Sequence, residues 1–350
     1  MMKGMMDAVI KTKAAPNSME FASVPIPEIT PDQVLVQIKA SGICGTDHSL
    51  FHWNEAIANS YKLSYPSIFG HEFSGVIVEV GSRAQGVAVG ERVTVNPILY
   101  CGQCSYCAEG IVNICDDRPF LGTDYDGGFA QYVAVKAQNI IKLPDAVSFK
   151  AAALIEPLCV AIHAVERVKP EFGQSAVVIG PGAIGLLMLL VLKHMGVGKV
   201  IVAGAGADKE RLETAKALGA DYTINVDEQE PVAAIKEITD GRGADVILDA
   251  AGHHSVVPQA VQMVAKGGRI GVTGLPAKPS ELMMTHIAMR EISIVGNRAY
   301  NLKNWFQACK MIADGLNVDP VATHTLPLKD WEKGMDLLDK KQGLRIILEP

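Results

Sequence analysis

The first part of the chain has the hydrophobic pattern of short strands. Between residues 9 and 142, runs of valine and isoleucine such as 34–38 and 76–80 are separated by glycine and proline. Short apolar runs bounded by these residues are typical of β-strands joined by turns. The pattern therefore predicts a strand-rich, barrel-like domain with few helices.

After Glu156 the pattern becomes a repeat of strand, turn and helix. Apolar strands that alternate with amphipathic helices predict a parallel sheet with helices on its faces. The predicted elements are strand 176–179, helix 186–195, strand 200–203, helix 209–218 and strands 244–250, 269–274 and 292–295. The doubly wound unit is thus expected to end near residue 295.

Beyond residue 295 the pattern predicts helices around 305–313 and 331–340, followed by a short strand at 344–348. We expect this last segment to return to the first domain. The predicted division is one domain formed by residues 1–156 and 296–350, with a second domain formed by residues 157–295 inserted into it.

Length and composition fit two globular domains, because 350 residues are too many for one ordinary core. The net charge of −6 gives no electrostatic reason to bind nucleic acid or an anionic membrane, so a small-molecule partner is expected. The uncharged stretch 172–192 is interrupted by Gly180 and Pro181, which favours a strand and a helix over a membrane span. The N-terminal sequence has no apolar segment with a cleavage site, and we expect a cytoplasmic protein.

Four of the seven cysteines follow the spacing C-x2-C-x2-C-x7-C. An odd cysteine count without an export signal argues against a disulfide framework. Four closely spaced thiolates instead predict a closed, tetrahedral, structural zinc site. An iron–sulfur cluster is the alternative metal interpretation. The four cysteines are Cys101, Cys104, Cys107 and Cys115.

A second set of metal-ligand types is spread over three motifs. Cys44 lies in GICGTD, His71 and Glu72 lie in GHEFSG, and Glu156 lies in IEPL. A mixed set of thiolate, imidazole and carboxylate leaves a coordination position for water or substrate, as a catalytic zinc requires. These residues are the predicted catalytic metal site.

The segment Gly180-Pro181-Gly182-Ala183-Ile184-Gly185 matches G-x-G-x-x-G. It follows a predicted strand and opens a predicted helix, which is the context that a dinucleotide-binding turn needs. There the helix start offers free backbone N–H groups to a pyrophosphate.

The choice between NAD and NADP depends on the end of the next strand. Gly204 occupies the place where an acidic residue usually binds the ribose hydroxyls. Asp208 follows four residues later, and it is the expected ribose contact in an NAD enzyme. Lys209 and Arg211 beside it are the alternative, as receptors for the 2′-phosphate of NADP.

From residue 6 to 348 the chain resembles the zinc-containing medium-chain dehydrogenases, and within them the sorbitol (polyol) and L-threonine 3-dehydrogenase branch. The resemblance rests on motifs in family order and spacing: GICGTD, GHEFSG, the four-cysteine lobe, IEPL and GPGAIG. It implies an α/β protein with a GroES-like β-barrel catalytic domain, which includes a zinc lobe at about 96–118, and a Rossmann domain with a doubly wound parallel sheet.

The resemblance implies two zinc ions per chain and a role for each catalytic ligand. Cys44, His71 and Glu156 would hold the catalytic zinc, while Glu72 would be an exchanging ligand or would hold a water beside it. Asp47 would accept the second imidazole N–H of His71 and so fix its tautomer.

A proton relay is also implied. Thr46, two residues after the zinc-binding cysteine, resembles the first relay group of the family. Many relatives have a histidine five residues after that cysteine, where this chain has Ser49 and carries His48 one position earlier. Thr46 and His48 are the predicted relay residues.

The expected reaction is hydride transfer between a secondary alcohol, foremost a polyol or sugar alcohol, and NAD(P). L-threonine is the second substrate considered, because the segment 52–73 resembles L-threonine 3-dehydrogenases, and a simple secondary alcohol or diol is the third. A function of another class would be a non-catalytic nicotinamide-binding protein. A homo-oligomer, either a dimer or a tetramer, is expected from the family.

Overall fold

The computed structural model describes residues 3–350, and the chain folds into two compact units. One unit contains the residues up to Glu156 together with Asn301–Pro350, and the other is Pro157–Tyr300. The second unit thus ends at Tyr300, whereas the sequence pattern predicts its end near residue 295. The loop that follows the last strand stays attached to this unit, since the backbone N–H of Asn297 donates to the Val272 carbonyl over 3.1 Å.

The first unit begins with eight strands and four short helices. The strands are β1 (Met5–Lys11), β2 (Met19–Pro25), β3 (Gln33–Ile43), β4 (Ser67–Ile68), β5 (Glu72–Val80), β6 (Arg92–Val95), β7 (Tyr132–Lys136) and β8 (Ile140–Lys142). The helices are α1 (Gly45–Phe51), α2 (Glu55–Ala58), α3 (Ser105–Ala108) and α4 (Phe149–Ala153).

The chain then alternates helices and strands. In order these are α5 (Ile155–Val168), β9 (Ser175–Ile179), α6 (Ala183–His194), β10 (Lys199–Gly204), α7 (Lys209–Ala217), β11 (Tyr222–Asn225), α8 (Pro231–Ile238), β12 (Ala244–Asp249), α9 (Val256–Met263), β13 (Val264–Val272), α10 (Met284–Met289) and β14 (Ser293–Gly296). The six strands form one parallel sheet in the order β11-β10-β9-β12-β13-β14. This is the strand order of a doubly wound dinucleotide-binding sheet, as the sequence pattern predicted.

The last elements are α11 (Leu302–Ala313), β15 (Ala322–Pro327), α12 (Trp331–Asp339) and β16 (Arg345–Glu349). The strand β16 pairs antiparallel with β3, so the segment rejoins the first unit as expected. It is part of a seven-stranded sheet in the order β15-β16-β3-β5-β6-β8, in which β7 also pairs with β3. A second sheet has the order β2-β1-β4.

Two elements of the second unit begin three or more residues before the start that the sequence pattern predicts. The helix predicted from 186 begins at Ala183, because Gly182 already has the extended backbone of an N-cap. The strand predicted from 269 begins at Val264, with a register shift before Arg269. Lys266 and the two glycines after it interrupt the apolar pattern there and hide the start of the strand. Among the described residues, no helix combines the length and apolar composition that a membrane span needs.

Candidate functional site

Cys44 lies at the junction of β3 and α1. It is the N-cap of α1, and its backbone N–H donates to the Asp47 carboxylate over 2.9 Å. The Asp47 carboxylate thus satisfies a backbone donor that would otherwise be unpaired at the helix start, and this capping contact fixes the turn. The thiol is therefore carried on a defined turn, and Asp47 is fully buried beside it.

His71 and Glu72 lie at the start of β5, and both are buried. Gly70 before them has φ +93°, and a Cβ there would come within 2.4 Å of the Phe129 ring. Only glycine adopts this positive φ without strain and also leaves room for the Phe129 ring. The sequence GHE thus turns the chain sharply into β5 and directs two polar side chains into the interior of the first unit.

The structure brings Cys44, His71 and Glu72 together. One ligand atom from each lies within 4.8 Å of the other two. The Nδ1 atom of His71 lies 3.6 Å from Oδ1 of Asp47, slightly beyond hydrogen-bond distance. Burial raises the pKa of Asp47 to about 6. Burial lowers the pKa of His71, but Asp47 and Cys44 outweigh it and raise that pKa well above its ordinary value.

Arg345, which the sequence analysis did not identify, completes this buried cluster from β16. Its Nε lies 3.3 Å from Oε2 of Glu72, and its Nη1 donates to the Ile43 carbonyl over 3.0 Å. Gly42 makes room for this pair, because a Cβ there would lie 2.5 Å from Oε2 of Glu72. Burial lowers the pKa of Arg345, but the charge of Glu72 in particular raises it above its ordinary value.

Glu156 is also buried, at the start of α5. It is not in the group of described residues whose ligand atoms all lie within 4.8 Å. Its charge nevertheless contributes to the raised pKa of both His71 and Arg345, so it acts on the same cluster.

Thr46 has a neighbour that the sequence did not indicate. Burial raises the pKa of Tyr61, and Thr46 lies close enough to the Tyr61 phenol to act on that pKa in the opposite direction. Tyr61 contacts Phe120, whose ring lies edge-on to that of His71 with 5.2 Å between centroids. Tyr61 therefore belongs to the surroundings of the cluster.

His48 does not join the cluster. Its Nε2 lies 2.8 Å from Oδ1 of Asp339 on the surface, beside His52. The geometry thus gives His48 different partners from those that the predicted relay needs. Successive side chains of an α-helix differ in direction by about 100°. His48 therefore projects in a different direction from Ser49, the position at which many relatives have a histidine.

The four predicted cysteines converge in a lobe formed by α3 and the loops around it. Three of their Sγ–Sγ distances are 3.4, 3.8 and 4.0 Å. Tetrahedral zinc with ordinary zinc–sulfur bonds places its sulfurs about 3.8 Å apart. The backbone N–H groups of Cys101 and Cys104 point at sulfurs of this set, over 3.3 and 3.4 Å, and such bonds favour thiolates.

The glycine motif forms the turn between β9 and α6. Gly180 has φ +101°, and a Cβ on Gly185 would come within 2.0 Å of the Gly180 carbonyl oxygen. Gly182 is different, because a Cβ there would meet nothing within 4 Å among the described residues. Gly182 is the N-cap of α6 without a side-chain cap, and Ala183 and Ile184 are the first helical residues. Backbone N–H groups are thus open to an anion at this helix start.

Asp208 is the N-cap of α7 after the loop that follows β10, and Arg211 lies in the first turn of that helix. Their side chains form an ion pair of 3.4 Å at the start of α7, and both are largely buried. Gly204 packs closely, since a Cβ there would lie 2.8 Å from the ring of Pro181. Gly204 thus brings Asp208 close to the glycine turn within the second unit.

A separate cavity of about 660 Å³ lies in the first unit. Its lining is largely apolar and includes none of Cys44, His71 and Glu72. The candidate site is therefore identified by its donor atoms rather than by volume.

Comparison with known proteins agrees with this geometry. Residues 30–145 match the alcohol dehydrogenase GroES-like domain, and residues 183–314 match the zinc-binding dehydrogenase family. The chain is 35% identical to the L-threonine 3-dehydrogenase of Bacillus velezensis over the full length of both, and 34% identical to the sorbitol dehydrogenase of Halalkalibacterium halodurans over 99% of each.

A solved alcohol dehydrogenase from Escherichia coli CFT073, complexed with NADH, superposes with a TM-score of 0.90 at 32% identity, over 99% of each chain. The predicted combination of a GroES-like and a Rossmann part is confirmed. The chain belongs to the zinc-containing medium-chain alcohol dehydrogenases, in the branch that includes the sorbitol and L-threonine dehydrogenases.

Proposed function

We propose that this chain is a zinc-dependent dehydrogenase that transfers hydride between a secondary alcohol and NAD(P). The observation that carries the proposal is the buried set of Cys44, His71 and Glu72. Within the described chain, Oε1 of Glu72 and Nδ1 of His71 are buried without hydrogen-bond partners, and Oε2 of Glu72 has the Arg345 guanidinium beside it at 3.3 Å. Buried polar groups of this kind are costly unless they serve a ligand, and thiolate, imidazole and carboxylate are the donors that zinc takes.

Cys44 and His71 would hold the catalytic zinc, with Glu156 as the resting carboxylate ligand. Glu72 would exchange onto the metal only after leaving Arg345, which restrains its carboxylate at 3.3 Å. When bound there, zinc polarises the substrate hydroxyl and stabilises the negative charge that develops on its oxygen. Asp47 would keep the His71 ring oriented.

The proton of the substrate hydroxyl would leave through Thr46. Its Oγ1 would accept this proton while its own proton passes to the neighbouring Tyr61 phenol. Tyr61 is partly exposed, so the phenol would release its own proton to solvent as it takes the one from Thr46, and it would not become charged.

The nicotinamide cofactor, which takes up the hydride, would bind at the glycine turn of the second unit. The backbone N–H groups of Gly182, Ala183 and Ile184 would receive its pyrophosphate, because Gly182 leaves the helix start uncovered. Asp208 would bind the ribose, with Arg211 beside it. Cys101, Cys104, Cys107 and Cys115 would hold the structural zinc.

A polyol or sugar alcohol is the proposed substrate, supported by the sorbitol dehydrogenase relative and by the IEPL motif. L-threonine is the second candidate, supported by the L-threonine 3-dehydrogenase relative, which the chain matches over its full length. We place the protein in the cytoplasm because both thiol-containing clusters need reduced cysteines.

A homo-oligomer, dimer or tetramer, is also proposed. The strand β14 is an edge of the parallel sheet. Large apolar side chains are exposed in the segment before it, namely Leu275, Met283, Met284 and Met289. An exposed edge with apolar neighbours is usually covered by another chain.

The proposal is tested by following reduced nicotinamide with zinc-loaded protein, with NAD and NADP in parallel. The panel contains sorbitol, xylitol, galactitol, L-threonine and 2,3-butanediol. Turnover of a polyol supports the first substrate, and turnover of threonine the second. Cofactor binding without turnover of any substrate, at verified zinc content, would identify a non-catalytic nicotinamide-binding protein.

The metal assignment is tested with Cys44→Ala. We expect activity to fall by about three orders of magnitude or more and zinc content to fall by one ion per chain, while cofactor binding persists. The matched control is Cys309→Ala, at a buried cysteine of α11 outside both clusters. Undiminished turnover by Cys44→Ala would exclude the proposed catalytic zinc.

A further inference from the structure

His48, His52 and Asp339 form a compact cluster on the surface of the first unit. The Nε2 atoms of the two histidines lie 2.8 and 2.9 Å from the same carboxylate oxygen of Asp339. The histidines are one helical turn apart, since the backbone N–H of His52 donates to the His48 carbonyl over 3.2 Å. Histidines at this spacing project from one face of a helix.

The spacing of the donor atoms is close to that of metal ligands. Bonds of about 2.1 Å place neighbouring ligands about 3 Å apart at right angles and about 3.4 Å apart in a tetrahedron. The Nε2–Oδ1 distances in the cluster need to grow by only a few tenths of an ångström. Two imidazoles and one carboxylate are a donor set for borderline divalent cations such as zinc, cobalt and nickel.

The cluster is open to an arriving cation. The side chain of His48 is 26% exposed, and those of His52 and Asp339 are each 41% exposed. A hydrated ion reaches these atoms without any rearrangement of the core, and water fills its remaining coordination positions. This openness distinguishes the cluster from the buried Cys44 set.

The three ligands come from two elements that are distant in sequence. His48 and His52 lie on α1 and its C-cap, and Asp339 is the last residue of α12. The same two helices already touch on their apolar side, where the rings of Phe51 and Trp331 meet at 5.6 Å. A cation at the cluster therefore connects the exposed ends of two helices that are packed together.

We propose that His48, His52 and Asp339 form an additional metal site, which takes a divalent cation of the zinc, cobalt and nickel class and fastens α1 to α12. This site is separate from the two proposed zinc sites, since it shares no ligand with them. α1 carries Thr46, and α12 leads into the strand that carries Arg345. Occupation of the site would thus stiffen both attachments of the buried cluster.

The test titrates Co²⁺ into tag-free protein that retains its tightly bound zinc, using calorimetry and electronic absorption. We expect one saturable Co²⁺ per chain beyond the retained zinc, with weak visible bands and no near-ultraviolet thiolate band, because the site has no sulfur ligand. Cobalt should also raise the melting temperature, because it binds the folded state.

His52→Gln and Asp339→Asn should each weaken this binding by about tenfold or more and abolish the shift in melting temperature. Both replacements preserve size, and Asn still accepts hydrogen bonds from the histidines. The control is His286→Gln, at an exposed histidine of α10, which should bind cobalt as the unaltered protein does. The absence of saturable binding, equal binding by the two variants, or a thiolate band for the added ion would each overturn the proposal.

Discussion

The guanidinium of Arg345 restrains the carboxylate of Glu72. The two side chains are buried together, and their closest atoms are 3.3 Å apart. Breaking a buried ion pair leaves an uncompensated charge unless another partner takes its place. The proposed exchange of Glu72 would therefore need a cation to receive its carboxylate, and this would couple the movement of Glu72 to metal binding.

Tyr61→Phe tests the proposed proton path. Removal of the phenol oxygen takes away the group that would receive the proton from Thr46, so we expect kcat to fall about tenfold or more, with little change in the KM for cofactor. Steady-state kinetics over a range of pH measure the effect. Tyr125→Phe, at an exposed tyrosine, is the control and should leave kcat unchanged. A kcat for Tyr61→Phe within twofold of the unaltered enzyme would remove Tyr61 from the path.

Asp208→Ala tests the cofactor assignment. The change removes the negative charge of Asp208 and releases Arg211 from the 3.4 Å ion pair. The Arg211 guanidinium would then attract the 2′-phosphate of NADP, which the Asp208 carboxylate would otherwise repel. We expect the ratio of kcat/KM for NADP to that for NAD to rise by about tenfold. Glu210→Ala, at the neighbouring acidic residue of α7, serves as the control. An unchanged ratio would mean that neither Asp208 nor Arg211 contacts the ribose.

Sequence motifs identified the residues whose spacing is local. Cys44 and His71 lie in short, glycine-marked segments, and the structure brings them together. Arg345 and Tyr61 carry no such signal. Arg345 reaches Glu72 only because β16 pairs with β3, which is distant in sequence. A single arginine in a short strand does not predict that pairing. His48 matched by type, but its position on α1 directs it to Asp339.

At the scale of elements, the helical segments of the cysteine lobe are too short to be stable by themselves. α3 has four residues, none of them buried, and the following 3₁₀ turn has three. Segments this short do not form stable helices by themselves, so their shape depends on cross-links. In the proposed structural zinc site, metal-bound thiolates would supply these cross-links.

Cys104→Ser should therefore unfold the lobe locally. We expect the loss of one zinc per chain, a melting temperature lower by several degrees, and faster proteolysis between residues 101 and 115. Metal analysis and limited digestion measure the change, with Cys159→Ala of α5 as the control at a cysteine outside the lobe. An unchanged melting curve together with full zinc content would contradict a structural role.

The elements that the sequence predicted best are the buried ones. β9, β10 and β12 are continuous apolar runs between turn residues, which is the usual pattern of strands covered on both faces. The edge strand β11 and the helix α8 were not predicted, because their burial is partial and their patterns are correspondingly weak. Tertiary packing, rather than local preference, fixes such elements.

At the scale of the whole molecule, the edge strand β14 bears on assembly. Ile294→Lys places a charge on this edge, where Ile294 is 36% exposed, and should shift the protein toward smaller species. Sedimentation equilibrium measures the mass. The matched control is Tyr222→Lys on β11, the opposite edge of the same sheet, which should leave the mass unchanged. The same mass for both variants would exclude β14 from the subunit contact.

The return of β16 to β3 also sets an order of events during synthesis. Ser41 and Gly42 of β3 pair with β5 on one side and with β16 on the other. The strand β16 follows about 300 residues later, roughly 15–60 s of ribosome time. The second unit is continuous in sequence and is therefore complete before β16 has been made. Until then Glu72 lacks the Arg345 guanidinium, so a nascent chain would carry the Cys44 thiol and the His71 imidazole in an incomplete first unit, whereas the parallel sheet of the second unit has already been synthesised.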